Sequence, residues 1–165
     1  MLIFFPGRGV TTISDSLCSN EMALAARTIA METLNRMSDV VLPQGIEQAD
    51  VHYQISPLEE GGGSALHGLP MVLSIITAMA GIDTPETEAY IGEVGTVGGV
   101  ISIADGGLMY AKRPEGLDEG VSKLIVPLAN RDSIKRLYNE GLSEEDKIEV
   151  RGVKTVEEAV RALKH

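Results

Sequence analysis

The chain has 165 residues, 44% hydrophobic and 23% charged, with a net charge of −10. That length fits one domain whose core can stand without disulfides, and the lone Cys18 rules out a disulfide framework within the chain. Residues 1–111 hold three basic residues (Arg8, Arg27, Arg36) against thirteen acidic ones, while residues 112–165 hold eleven of each. No basic stripe is left to neutralise phosphates, which argues against nucleic-acid binding.

Taken in chain order, the pattern alternates strands with helices. Residues 2–5 are a short apolar run ending at Pro6-Gly7, and residues 8–14 read as a second strand. The opening run is short, lacks a basic flank and meets Pro6, so it does not read as a signal peptide. Ser19 or Asn20 can cap a helix to about Met37, with Met22, Ala25, Ala26, Ile29, Ala30 and Leu34 at helical spacing. Residues 49–55 alternate like a half-buried strand, and Ser56-Pro57 ends it. A loop with Gly61-Gly62-Gly63 leads into residues 64–81, a helix apolar nearly all round and so expected to be buried. Its regular part begins near His67 or Gly68, which puts Pro70 in the first turn.

Residues 88–94 and 98–103 read as two strands joined by a tight turn at Val94–Val97. A short helix is expected at 107–113, a strand at 122–127, a helix over Arg131–Tyr138, a strand at 146–150 and a closing helix over Thr155–Leu163. Thr155 and Glu158 form a capping-box pattern at the start of that helix. The longest apolar stretch, Leu69–Ile82, is too short to span a bilayer. With the single cysteine, this makes the cytoplasm the expected compartment and leaves no expected membrane contact.

Three features bear on chemistry. Ser64 follows three glycines and opens a buried helix, where exposed backbone N–H groups and the helix dipole favour a developing oxyanion; the same serine also reads as an ordinary N-cap. A serine nucleophile needs a base. His67 lies one helical turn on and His52 lies on the preceding strand, but no Gly-x-Ser-x-Gly elbow surrounds Ser64. The other base is a neutral lysine. Free lysine titrates near 10.4, so desolvation must supply about 4 kcal/mol for it to act near pH 7. Lys112, after Gly106-Gly107-Leu108-Met109-Tyr110-Ala111, has the least polar context of any lysine in the chain. It also reads as a last-turn lysine reaching for water. Three scattered histidines and one cysteine provide no metal-ligand cluster, and no nucleotide-binding motif occurs, so no cofactor is expected.

In this order the features resemble the proteolytic domain of Lon-type serine peptidases over nearly the whole chain. Pro6-Gly7-Arg8-Gly9, Asp50-Val51-His52-Tyr53-Gln54-Ile55 and Gly62-Gly63-Ser64-Ala65 are similar to that family's entry, pre-nucleophile strand and nucleophile segment. Gly92-Glu93-Val94, Gly106-Gly107, Lys123-Leu124-Ile125-Val126-Pro127 and Val153–Ala159 continue the match. The resemblance implies one α/β domain over residues 1–165 without an ATPase module. Its fold would be ribosomal-protein-S5-domain-2-like, a mixed sheet with packed helices. Ser64 becomes the nucleophile and Lys112 the base, with Gly62, Gly63 and Ala65 as the oxyanion and substrate loop and Glu93 in support. It further implies unfolded polypeptide substrates, a homo-oligomeric and commonly hexameric ring, and an ATPase acting in trans if unfolding is needed. The chain departs from the family at Gly61, where an aspartate is usual, at Ile91, where a threonine is usual, and by one extra residue between Gly107 and Lys112. These departures keep two alternatives open: a catalytically degenerate domain serving as a ring-forming or binding module, and a Ser64–His67 hydrolase.

Overall fold

In the computed structural model, which describes residues 2–5, 11–13, 20–53, 68–102 and 120–163, helical spacing after Asn20 produces α1 (Asn20–Arg36). Ala23, Ala26, Ile29, Ala30 and Leu34 are its buried stripe, and the small alanines let a neighbouring helix approach closely. That neighbour is α2 (Gly68–Ala80), buried at Leu69, Met71, Val72, Leu73, Ile75, Ile76, Thr77 and Met79, as its nearly all-apolar sequence requires. Gly81 closes α2 at φ +63°, with Ile82 N–H donating to the Thr77 carbonyl at 2.8 Å. This six-to-one closure needs a left-handed residue, which glycine adopts without strain.

β1 (Leu2–Phe5), β2 (Thr11–Ile13) and β3 (Asp50–Tyr53) form a three-stranded sheet with β3 in the centre. β1 runs antiparallel to β3 and β2 parallel to it. A parallel pair cannot be joined by a tight turn, and α1 lies within the β2–β3 crossover. Between them a 3₁₀ turn (Ile46–Gln48) is tied back to α1 by the buried Arg27, which donates to the Glu47 carbonyl at 2.9 Å.

A second, wholly parallel sheet is ordered β4 (Glu88–Tyr90), β7 (Lys123–Pro127), β8 (Glu149–Val153). The compact apolar run of β7 is covered on both faces. Ile125 joins the main core, which contains α1 and α2, while Leu124 and Val126 pack with Ile134 and Val150. Ile134 comes from α3 (Arg131–Asn139), which links β7 to β8. The chain closes with α4 (Val156–Leu163), buried at Val156, Ala159, Val160, Ala162 and Leu163. The expected cap is present in a shifted form. Glu158 N–H donates to Thr155 Oγ1 at 3.1 Å, and the Glu158 carboxylate accepts from Lys154 N–H at 2.8 Å, one residue before the cap. The described residues are thus a mixed α/β fold with a small parallel sheet, and no helix among them is long and apolar enough to cross a membrane.

Two expected elements are corrected. The single strand over 88–94 is two strands in different sheets. Gly92, at φ +150°, breaks the run, and its carbonyl accepts from Leu69 N–H at 2.9 Å. β4 stays in the parallel sheet, while β5 (Glu93–Val94) pairs antiparallel with β6 (Val100–Ile101). Their connection is a longer loop than Val94–Val97, closed by Gly95 N–H to the Gly99 carbonyl and Gly98 N–H to the Gly95 carbonyl, each 2.9 Å. The last strand lies at 149–153 rather than 146–150. Asn139 brackets Ile148, donating to its carbonyl and accepting from its N–H at 2.8 Å each, so pairing with β7 starts at Glu149. The expected helix at 107–113 lies outside the described residues.

Candidate functional site

Ser64, Gly62, Gly63, Ala65, His67 and Lys112 lie outside the described residues. Glu93 lies within them, at the meeting point of three elements. The first is the start of α2. A Cβ on Gly68 would sit 3.0 Å from Val94 N and 3.2 Å from Glu93 Cα. Those are backbone atoms that cannot swing aside, so only glycine lets the helix begin this close to β5. The second is the Gly92 corner, where Leu69 N–H is held at 2.9 Å and an added Cβ would meet Val100 Cγ1 at 3.2 Å and Pro127 Cγ at 3.3 Å. The third is β6, in which Ile101 pairs with Glu93.

The β5–β6 hairpin is fixed from its other side by the β8–α4 junction. Val100 N–H donates to the Lys154 carbonyl at 2.7 Å and Val156 N–H to the Gly98 carbonyl at 2.9 Å, and Gly99 bridges to Thr155. Glu93 is therefore an exposed carboxylate on a rigid hairpin beside the positive end of a thirteen-residue helix. Such a group can hold or orient a cation. As a carboxylate it accepts hydrogen bonds and donates none.

His52 sits on β3, opposite Ile3 and Thr12, in the first sheet, whereas Glu93 belongs to the separate hairpin. Ile91 packs against the second core beside Leu124 and Val126, and its N–H donates to the Ile125 carbonyl at 2.9 Å; an apolar residue suits that environment. Among the described residues no group of three or more His, Cys, Asp or Glu side chains is arranged to hold a metal ion.

The sequence reading missed Gly68 and Gly92. A glycine inside a strand pattern is a recognised sign of a bulge or close backbone approach, so Gly92 carried a signal. Gly68 carried none, because its crowding comes from residues far along the chain. Gly68→Ala is expected to cost about 1–3 kcal/mol, the usual range for overpacking. Gly99→Ala, with open space around its Cβ, should cost much less. Urea denaturation of both variants checks this, and equal midpoints would refute the close approach.

No protein-family model matches the chain, and no curated protein matches it. What the described residues define is a mixed α/β domain with a glycine-tightened corner around Glu93.

Proposed function

We propose that the chain is a Lon-like serine endopeptidase domain, of the ribosomal-protein-S5-domain-2-like fold, cleaving unfolded polypeptides with a Ser64–Lys112 dyad. The convergence on Glu93 carries this reading. The segment bearing Ser64 runs into α2 at Gly68, against Glu93 and Val94. Ser64 lies four residues before Gly68, a stretch of chain that spans at most about 14 Å. The segment bearing Lys112 follows β6, whose Ile101 is the partner of Glu93. One end of each segment thus joins the described fold at this corner, which supports the dyad reading.

In the proposed reaction the neutral Lys112 amine accepts the Ser64 proton as Oγ attacks the peptide carbonyl carbon. Backbone N–H groups of the Gly62–Ala65 segment stabilise the oxyanion. The tetrahedral intermediate collapses with cleavage of the C–N bond, and the Lys112 ammonium returns the proton to the departing amine. Lys112 then takes a proton from a water that attacks the ester carbonyl carbon, and returns it to Ser64 Oγ as the C–O bond breaks and the carboxylic acid product leaves. No cofactor takes part. The proposal includes a cytoplasmic setting, self-assembly into a ring, and either substrates that are already unfolded or an ATPase that unfolds them in trans.

The test is hydrolysis of casein and of a fluorogenic peptide by the purified chain and by Ser64→Ala. Loss of activity in the variant is expected. Equal rates would overturn the catalytic reading in favour of a non-catalytic ring or binding module.

A further inference from the structure

Away from the Glu93 corner, the middle of α2, the loop after it and β4 enclose a cleft of about 530 Å³. Leu73 and Ile82 supply apolar wall, and Ser74, Thr77, Asp83, Thr84 and Tyr90 supply polar groups. The hydrogen bonds of those polar groups decide what fits. Ser74 Oγ donates to the Pro70 carbonyl at 2.8 Å, Thr77 Oγ1 to the Ser74 carbonyl at 3.2 Å, and Tyr90 Oη to Glu88 Oε2 at 3.2 Å. In this arrangement those three hydroxyl protons point to the protein, leaving their oxygens to accept, while the exposed Thr84 hydroxyl is free to do either. Burial first, and then the Glu88 carboxylate, raises the Tyr90 phenol well above its ordinary range, so its proton stays in place at any physiological pH.

The charge points the same way. Glu88 is matched by Lys123 Nζ at 2.8 Å, whereas Asp83 has no ion-pair partner among the described residues. The cleft therefore offers one uncompensated carboxylate, three hydroxyl oxygens turned to accept, the Thr84 hydroxyl and an apolar wall. The balance of acceptors and the unpaired carboxylate favour a donor, and a cationic donor fits best. The acceptors stand on two walls, α2 and the 82–90 segment. That suits the diverging N–H groups of an ammonium better than the planar fork of a guanidinium.

We propose that this cleft binds a primary alkylammonium group, with the ammonium among Asp83 and the hydroxyl oxygens of Ser74, Thr77 and Tyr90 and its methylene stem along Leu73 and Ile82. Such a group comes either from a free aliphatic diamine or from a lysine side chain of a polypeptide. The site does not depend on the peptidase reading.

The experiment is a ¹⁵N-amide NMR titration of the full chain with 1,5-diaminopentane and, separately, with N-acetyl-lysine methylamide. 1-Pentanol and sodium chloride at matched ionic strength are the controls. Saturable shifts confined to residues 73–84 and 90 are expected with at least one amine. Response to the lysine amide alone marks a polypeptide guest, and response to the diamine alone marks a free amine. Asp83→Asn should weaken binding about fivefold, the upper range for an exposed ion pair, and Ala78→Leu, which narrows the cleft from the exposed side of α2, should weaken it further. Shifts scattered over other acidic residues, equal shifts with 1-pentanol, no saturation, or unchanged affinity in both variants would overturn the proposal.

Discussion

Lys112→Ala is expected to slow peptide hydrolysis by about a hundred- to ten-thousandfold, the usual contribution of a positioned general base, while His67→Ala leaves most of the rate. The reverse pattern would mark a Ser64–His67 hydrolase. Lys112→Arg should be as inactive as Lys112→Ala, because a guanidinium stays protonated and cannot accept the Ser64 proton. The pH profile gives an independent reading of the same group. Only the neutral amine is a base, so kcat/KM should rise with pH through the lysine titration and fall as the solution is made acidic. A small primary amine added to Lys112→Ala should restore part of the rate, and more of it at high pH. A lysine that served only to brace the loop would show neither the amine rescue nor the shared pH limb. The acidic excess of residues 1–111 bears on this titration. Carboxylates close to the amine favour its charged form and oppose a base, so an active dyad needs most of those thirteen groups turned to water.

Local periodicity carried the sequence reading where neighbours along the chain decide the structure. The stripe of α1 from Ala26 to Leu34, the buried α2, the apolar β7 and the Thr155–Glu158 cap were all readable, because each depends on residues within one or two turns. Long-range contacts decided the rest. Residues 88–94 read as one strand with Gly92 as the single local sign of a break, and the run changes sheets there, where Leu69, Val100 and Pro127 crowd the corner. β8 is displaced toward Val153 because Asn139 captures Ile148. Its Gly152 also lies where a Cβ would meet Leu128 Cδ1 at 2.7 Å, a constraint absent from the local sequence. Of the candidate site, Glu93 was readable from the Gly92-Glu93-Val94 motif, but the role of Gly68 in seating α2 against it was not. Ser64 and Lys112 lie outside the described residues and rest on motif and chemistry.

Lys123→Ala is expected to destabilise the fold by about 3–5 kcal/mol, the range for stranding one member of a buried ion pair. The Lys123 and Glu88 side chains are only 12% and 8% exposed and meet at 2.8 Å. Lys123 Nζ also donates to the Ala162 carbonyl at 3.1 Å, one of the α4 carbonyls left without an intrahelical donor. One ammonium thus joins β4, β7 and the C-terminal end of α4, where a cation also complements the helix dipole. In Lys123→Ala the Glu88 carboxylate keeps the Tyr90 hydroxyl but loses its countercharge. Lys123→Met retains the methylene stem and removes only the ammonium. If it is nearly as damaging as Lys123→Ala, the stranded charge dominates; if it is much milder, lost packing does. Adding Glu88→Leu to Lys123→Met should recover part of the loss, since an apolar pair removes both charges together, although the Tyr90 hydroxyl and the Ala162 carbonyl lose their partners. Urea unfolding of the wild type, the singles and this double variant measures the coupling between the two positions. A loss below about 1 kcal/mol in Lys123→Ala would put the pair in the class of exposed surface bridges and refute its role as the link between the parallel sheet and the last helix.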